Sequence, residues 1–165
     1  MNKGKCVCGD VTYEINEPIT SLYQCHCTMC QQQTGSASQT GAFVNIDKFR
    51  WCSGEASITT FSKPTGYSYS FCRCCGATVP NMFRSGDLYW VPAGAIAGLA
   101  GAEIKIHIFV ANKADWDTIG GDGVQHEGFY PVYEDQQECE HASAINSSFT
   151  SFSGITQQHK SRQLF

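Results

Sequence analysis

The sequence predicts a mainly β protein, and three observations support this fold class. Short segments that alternate apolar and polar residues recur along the chain. Turns rich in Gly, Asn, Asp and Ser separate these segments, and helical patterns are few. The chain has 165 residues, a length that accommodates one domain. It also contains 10 cysteines, and this number restricts the possible functions more than any other feature of the sequence.

The predicted strands share the alternating pattern or are rich in β-branched and aromatic residues. In chain order they lie at residues 9–15, 41–46, 55–61, 67–72, 87–91 and 103–110. In the last segment Ile104, Ile106 and Ile108 are expected to share one face of the strand. Short helical turns are expected at residues 31–38 and 113–118.

A change in composition places the predicted domain boundary near residue 133. Residues 1–133 form the cysteine-bearing domain in this prediction, and residues 134–165 form a polar, Ser-rich C-terminal tail. Such a composition is typical of a loosely ordered terminus. In the alternative interpretation, Phe149, Phe152 and Ile155 dock on the domain or on a second subunit.

The charge of the chain argues against polyanionic partners. The formal net charge is -4, and no basic cluster stands out, so neither nucleic acid nor an anionic membrane is expected as a partner. No apolar stretch follows the first residues, so no secretory signal is expected. The longest weakly apolar run, residues 91–102, is too short to span a membrane, which needs about 20 apolar residues. We therefore expect a cytoplasmic protein whose thiols stay reduced.

Most of the cysteines lie in three tight clusters. The clusters are Cys6-x-Cys8, Cys25-x-Cys27-x-x-Cys30 and Cys72-x-Cys74-Cys75. Cysteines this close in sequence seldom satisfy disulfide geometry, whereas Cys-x-x-Cys directs two thiolates toward one ion, about 2.3 Å from each sulfur. Thiolate ligation favours zinc or an iron–sulfur cluster, and zinc suits a structural role in a β domain. A disulfide-rich secreted domain is the disfavoured alternative.

The spacing leaves the pairing of the clusters open. In one arrangement, the middle pair Cys27-x-x-Cys30 joins the last pair, Cys72-x-x-Cys75. In the other, the first cluster joins that last pair and the three middle cysteines stay together. The first arrangement resembles a split zinc ribbon, and the second leaves a metal site with an open position.

Four motifs occur in a fixed order over residues 4–131. They are Gly4-x-Cys6-x-Cys8-Gly9-x-Val11-x-Tyr13, Cys25-His26-Cys27-x-x-Cys30, Phe71-Cys72-x-x-Cys75-Gly76, and His107-Ile108-Phe109-Val110 with Lys113-Ala114-x-Trp116. Together they resemble the glutathione-dependent formaldehyde-activating enzyme family, which includes centromere protein V. The resemblance implies twisted antiparallel sheets similar to those of the zinc-bearing Rab-exchange proteins, stapled by a structural zinc.

The resemblance also implies two zinc ions per chain. The residues that match the structural zinc ligands are Cys6, Cys8, Cys72 and Cys75. The residues that match the ligands of a second, working zinc are Cys25, Cys27 and Cys30, which would form the catalytic site. The implied reaction joins glutathione and formaldehyde into S-hydroxymethylglutathione, a carbon–sulfur lyase-type step. The implied partner is a small-molecule thiol such as glutathione, and homo-oligomerisation is left open.

A zinc with three thiolates suits thiol chemistry on general grounds. Its net charge near -1 makes it a weaker Lewis acid than zinc with three histidines, where bound water has a pKa of about 7. An incoming thiolate is a natural fourth ligand, and its binding releases a proton. The alternative hypothesis is a non-catalytic zinc-binding module for protein interactions, which has no need of an open metal position.

The other chemically active side chains are expected to be structural. His26 lies between two predicted ligands, so in an extended segment its side chain points away from the metal. His107 lies on an apolar strand and is expected to be a hydrogen-bonded structural histidine. Cys52, Cys74 and Cys139 have no assigned ligand role.

Overall fold

Strands dominate the structure, in agreement with the fold class predicted from the sequence. The computed structural model describes residues 1–132. Its strands are β1 (Asn2–Lys5), β2 (Thr12–Ile15), β3 (Ser21–Cys25), β4 (Gln39–Asn45), β5 (Phe49–Ser53), β6 (Ile58–Ser62), β7 (Ser68–Cys72), β8 (Thr78–Val79), β9 (Asn81–Met82), β10 (Leu88–Pro92), β11 (Ile96–Ala97), β12 (Glu103–Ile108) and β13 (Val124–Gln125). One α-helix, α1, spans Thr28–Thr34. Short 3-10 helices lie at Ile46–Lys48, Glu55–Ser57, Ala93–Ala95 and Val110–Asn112.

The strands form three sheets. A four-stranded sheet has the order β11-β1-β2-β5, a six-stranded sheet the order β13-β12-β3-β4-β10-β9, and a three-stranded sheet the order β6-β7-β8. Strand β12 pairs in parallel with β3 and β13, and the other pairs are antiparallel. The six-stranded sheet is therefore mixed, and the other two sheets are antiparallel.

The predicted strand at 103–110 is shorter and less regular than expected. A β-bulge between Ile104 and Ile106 shifts its register against β3. As a result Ile106 and His107 are both buried, and the simple alternation fails. The strand ends at Ile108 because Phe109 adopts a left-handed conformation with φ 57°. The predicted turn at 31–38 is helix α1, which begins three residues earlier.

Buried side chains gather in three clusters that join the sheets. In the first, Tyr13 and Ile15 of the four-stranded sheet pack with Val44 and Val91 of the six-stranded sheet. The second surrounds the end of β3 and α1, and comprises Tyr23, Cys25, Cys30, Trp90, Ile106, Ile108 and Val132. The third comprises Cys6, Val11, Cys72 and Val79. Cysteines thus belong to two of the three cores.

Part of the sequence prediction lies outside the described residues. The domain boundary at 133, the tail at 134–165 and Cys139 stay predictions for this reason. Within residues 1–132, no helix combines the length and the apolar character needed to cross a membrane.

Candidate metal centre

The first and last cysteine clusters meet at one point. One sulfur from each of Cys6, Cys8, Cys72 and Cys75 lies within 4.8 Å of the other three. The Sγ atoms of Cys6 and Cys8 are 3.5 Å apart, and those of Cys8 and Cys72 are 3.8 Å apart. A tetrahedral ion 2.3 Å from each sulfur would separate the sulfurs by about 3.8 Å. The donor set therefore fits a closed four-thiolate site, which we call the four-cysteine cluster.

Two similar turns present these sulfurs. After β1, the Gly9 N–H donates to the Cys6 carbonyl at 3.1 Å, and Gly9 has φ 80°. After β7, the Gly76 N–H donates to the Cys72 carbonyl at 2.7 Å, and Gly76 has φ 72°. Each glycine supplies a left-handed residue that closes its turn without steric cost. The Val11 N–H also donates to Cys6 Sγ at 3.3 Å, which orients that sulfur.

Backbone donors help some of these thiols to ionise. The Ala77 and Cys8 N–H groups lower the pKa of Cys75 to about 6. Burial opposes ionisation of Cys6, but the Val11 N–H and two neighbouring thiols leave the pKa of Cys6 below its usual value. The pKa of Cys8 rises to about 12: although the Asp10 N–H favours its thiolate, the nearby sulfurs of Cys6 and Cys75 disfavour a further charge. A bound divalent cation would let all four sulfurs ionise together.

The middle cysteines form a second group, the three-cysteine cluster. Cys25 ends β3, Cys27 is the N-cap of α1, and Cys30 lies in the first turn of that helix. Their three sulfurs lie within 4.8 Å of one another. The Cys30 N–H donates to Cys27 Sγ at 3.4 Å, so the capping contact itself turns the Cys27 sulfur toward the cluster. The strand end and the helix start therefore converge on one point.

In the three-cysteine cluster the thiols compete for one negative charge. Hydrogen bonds from Cys25 and Cys30 hold the pKa of Cys27 far below its usual range. The neighbouring Cys27 sulfur in turn raises the pKa of Cys25 to about 12. The sulfurs of Cys25 and Cys27 also raise the pKa of Cys30 strongly. One thiolate flanked by two thiols is an arrangement that binding of a cation would convert to three thiolates.

Aromatic and amide side chains surround the three-cysteine cluster. Tyr23 and Trp90 pack against Cys25 and Cys30 in the second core. The hydroxyl of Tyr67 is buried without a hydrogen-bond partner among the described residues. Burial and the charges of the three cysteines raise the pKa of Tyr67, so this phenol stays protonated and retains a hydrogen to donate.

A chain of side-chain amides supports Cys30. The Cys30 thiol donates to Gln39 Oε1 at 3.3 Å. The Gln39 amide donates to Gln33, and Gln33 Nε2 donates to Thr78 Oγ1 at 2.7 Å. This series of hydrogen bonds links the three-cysteine cluster to β8 of the three-stranded sheet.

His26 points away from its neighbouring cysteines, as the sequence predicts. Its side chain is fully buried, and its Nε2 lies 3.2 Å from Nδ1 of His107, which is also fully buried. The backbone N–H of His26 donates to the Ile108 carbonyl at 3.0 Å. Gln31 Nε2 donates both to the His26 carbonyl at 2.7 Å and to the Asn112 carbonyl at 2.8 Å. The backbone between Cys25 and Cys27 is therefore held on both sides.

The structure brings the predicted cysteines together in the second of the two arrangements left open by the spacing. Cys74 lies outside both clusters but forms a third group of candidate ligands with Asp10 and Cys72, and its Sγ is 4.0 Å from Asp10 Oδ2. Cys52 is exposed, and no group of candidate ligands among the described residues includes it. Gln39, Tyr67 and Trp90 are not indicated by the sequence, because they reach the site through tertiary packing and belong to no spaced motif.

Both clusters lie within a segment that matches one family. The model of the glutathione-dependent formaldehyde-activating enzyme family matches residues 1–112. The chain belongs to this family. No curated protein matches the chain. Among solved structures, a Rhodobacter sphaeroides protein is 26% identical, with 58% of this chain and 88% of that chain covered and a TM-score of 0.49.

The family name confirms the resemblance inferred from the motifs. Glutathione-dependent formaldehyde-activating enzymes are named for a thiol cosubstrate and an aldehyde. Both sets of cysteines have the chemistry and the spacing to hold a metal ion.

Proposed function

We propose that the protein is a zinc-dependent enzyme or carrier that joins a glutathione-like thiol to formaldehyde, giving S-hydroxymethylglutathione. The single observation that carries this proposal is the three-cysteine cluster. Three sulfurs converge there, and no fourth Cys, His, Asp or Glu of residues 1–132 lies within the same 4.8 Å. A tetrahedral ion bound to Cys25, Cys27 and Cys30 would retain one position for a ligand from solution.

The two clusters would then have different tasks. The four-cysteine cluster would hold a structural zinc, because four thiolates close a tetrahedral site. The three-cysteine cluster would hold the second zinc, giving two ions per chain. Two further points stay predictions: similarity of the fold to the zinc-bearing Rab-exchange proteins, and membership of the carbon–sulfur lyase class.

With a zinc ion bound, the three-cysteine cluster would supply a site for a thiolate ligand. When bound, zinc would supply a coordination position that suits sulfur better than water, because three thiolates weaken its Lewis acidity. Cys25, Cys27 and Cys30 would bind as thiolates and release their protons on metal uptake. Tyr23 and Trp90 belong to the same buried cluster as Cys25 and Cys30, so apolar side chains border the proposed site.

The proposed reaction is an addition with no net oxidation. The substrate thiol loses its proton, its sulfur forms a bond with the carbonyl carbon, and the carbonyl π bond breaks. The carbonyl oxygen takes up a proton, so every atom of both substrates remains in the product. The buried Tyr67 hydroxyl has a hydrogen with which to stabilise the charge that develops on oxygen.

Metal analysis and exchange spectroscopy test this proposal together. We expect two zinc ions per chain, of which a mild chelator removes one. We expect the protein to accelerate exchange between glutathione and its hydroxymethyl adduct in formaldehyde solution, measured by two-dimensional NMR exchange. A single tightly held zinc contradicts the proposal. Two zinc ions without any acceleration favour the non-catalytic interaction module.

The variant Cys27→Ser isolates the three-cysteine cluster. Serine keeps an oxygen that can cap α1, so we expect a folded protein with one zinc and exchange at the uncatalysed rate. Cys52→Ser is the matched control, because Cys52 is exposed and outside both clusters. Loss of activity in both variants would contradict the assignment of the working site.

A further inference from the structure

A third group of candidate metal ligands lies beside the four-cysteine cluster. Asp10, Cys72 and Cys74 each offer one ligand atom, and these three atoms lie within 4.8 Å of one another. Cys72 belongs to both groups and is fully buried, whereas Asp10 and Cys74 are exposed. The buried cluster therefore shares one sulfur with two ligands that solvent can reach.

The spacing of the exposed pair suits one divalent cation. Cys74 Sγ lies 4.0 Å from Asp10 Oδ2. A tetrahedral ion about 2.3 Å from a sulfur and about 2.1 Å from a carboxylate oxygen would separate these two atoms by about 3.6 Å. Two sulfurs and one carboxylate suit zinc or cadmium, whereas magnesium and calcium prefer sites made of oxygen alone. The donor set thus selects a soft or borderline cation.

One short segment fixes the backbone at both exposed ligands. The Ser53 hydroxyl donates to the Asp10 carbonyl at 2.8 Å. In the turn that carries Cys74, the backbone N–H of Arg73 donates to the Ser57 carbonyl at 2.9 Å. The segment that contains both serines therefore holds the two turns beside each other, so the ligands meet through hydrogen bonds of the fold.

The local charge favours a cation at this group. Four thiolates around one divalent ion carry a net charge of about -2, and the Asp10 carboxylate adds a further negative charge. Among residues 1–132, no lysine, arginine or histidine forms an ion pair with Asp10. A negative surface of this kind raises the local concentration of cations.

We propose that Asp10, Cys72 and Cys74 form a metal-exchange site, through which a cation such as zinc enters and leaves the four-cysteine cluster. Asp10 and Cys74 take the incoming ion from solvent, and the shared sulfur of Cys72 bridges the incoming and resident ions. The Cys74 thiol releases its proton to solvent when it binds and regains it when the ion departs, with no oxidation. The inference rests on the proposed function only for the metal in the four-cysteine cluster.

Isotope exchange in the full chain tests the proposed site. A mild chelator first removes the weakly held zinc, and the protein is then incubated with excess zinc-68 and stripped again. Mass spectrometry gives the isotope of the ion that the protein retains. In wild type we expect the rate of zinc-68 uptake to rise in proportion to the zinc-68 concentration, because the incoming ion binds before the resident ion leaves.

Two variants remove the exposed ligands one at a time. We expect Asp10→Asn and Cys74→Ser to take up zinc-68 about 10-fold more slowly than wild type, with the same content of tightly held zinc and the same melting curve. Uptake in wild type that does not depend on zinc-68 concentration would overturn the inference. Equal uptake rates in wild type and both variants would also overturn it.

Two matched controls separate this site from general effects of charge and thiols. Cys52→Ser removes an exposed thiol and Asp122→Asn removes an exposed acid, and neither residue belongs to a group of candidate ligands among residues 1–132. We expect both controls to take up zinc-68 at the wild-type rate. Slowing as large as in Asp10→Asn and Cys74→Ser would overturn the assignment of the site.

Cadmium-113 NMR tests whether Cys72 is the shared ligand. With excess cadmium-113 we expect three signals, two of which are coupled to each other through the Cys72 sulfur. In Cys74→Ser we expect the third signal and the coupling to disappear. Two signals in wild type, or three without coupling, would overturn the bridging role of Cys72. Failure of the wild-type protein to accelerate exchange of the glutathione adduct would instead contradict the proposed function, and the metal-exchange result would stand.

Discussion

The four-cysteine and three-cysteine clusters are assembled in opposite ways. Cys8 and Cys72 are 64 residues apart in sequence, yet their sulfurs meet at 3.8 Å. The three-cysteine cluster is complete within residues 25–30. A cation in the first cluster would close a long loop and so couple directly to folding. A cation in the second would tie together only the end of one strand and the start of one helix.

The supports of the two clusters differ as well. Backbone N–H groups of two tight turns hold the sulfurs of the four-cysteine cluster. Side chains from other strands border the three-cysteine cluster, among them Gln39 and Trp90. Backbone donors of two tight turns thus support the sulfurs of the four-cysteine cluster, whereas side chains brought in by tertiary packing border the three-cysteine cluster.

The largest expected effect comes from removing a ligand of the four-cysteine cluster. We expect Cys72→Ser to lose cooperative thermal unfolding and to aggregate. Binding of structural zinc contributes about 10–16 kcal/mol, which matches or exceeds the whole stability of a typical domain, about 5–15 kcal/mol. Circular dichroism and calorimetry measure this loss.

Cys52→Ser is the control for that variant, because Cys52 is exposed and belongs to no group of candidate ligands among the described residues. We expect its melting curve to resemble the wild type. If Cys72→Ser instead melts like the wild type while Cys27→Ser unfolds, the structural and working assignments of the two clusters are reversed.

An intermediate effect is expected from Gly41→Ala on β4. A Cβ atom at this position would overlap the indole of Trp90, which packs against the three-cysteine cluster. Overpacking of this kind costs about 1–3 kcal/mol. We expect a lower melting temperature and faster metal release from the three-cysteine cluster, with the four-cysteine cluster unaffected.

Gly94→Ala controls for the loss of a glycine, since no atom lies within 4 Å of a Cβ there and its φ is not left-handed. We expect it to melt like the wild type. Equal acceleration of metal release from both clusters in Gly41→Ala would show that the two clusters do not respond independently.

The sequence predicts the parts of this protein that are encoded locally. Strands such as β2 and β7 follow from alternating side chains, and the cysteines are visible because each cluster is compact in sequence. Strand β1 is not predicted, since lysines occupy its exposed positions and Gly4 its buried one. The Tyr13 ring fills the space that a side chain at Gly4 would take, so the strand has no apolar pattern of its own. In β3, Leu22 and Tyr23 are both buried, which abolishes alternation.

The surroundings of the three-cysteine cluster could not be predicted for a related reason. His26 and His107 are 81 residues apart, and only the parallel pairing of β3 and β12 brings them together. Spacing in one sequence carries no information on such a contact. The bulge in β12 adds to the difficulty, because it buries His107 together with Ile106. Cysteine spacing therefore indicates the ligands, and tertiary structure alone indicates what positions them.

The smallest expected effect concerns an ion-pair network on the sheet that carries the first cysteines. Glu14 of β2 pairs with Arg50 of β5 and with Lys3 of β1, the latter at 3.3 Å. Arg50 and Lys3 hold the pKa of Glu14 below its ordinary value of 4.5. A carboxylate with a lowered folded pKa stabilises the protein above its unfolded pKa, and this contribution is lost as pH falls through the folded pKa. We expect Glu14→Gln to lower the melting temperature by about 1–3 °C at pH 7.

That difference between Glu14→Gln and wild type should vanish in acid, once Glu14 is protonated in both folded and unfolded states, and should shrink in 1 M salt. Glu103→Gln is the matched control on the opposite sheet. Among the described residues Glu103 forms an ion pair only with Lys105, and it is 67% exposed, against 19% for Glu14, so we expect a smaller shift there. A larger shift for Glu103→Gln, or a Glu14→Gln shift that persists at low pH, would show that the charges on β1, β2 and β5 do not stabilise the sheet that brings Cys6 and Cys8 to their cluster.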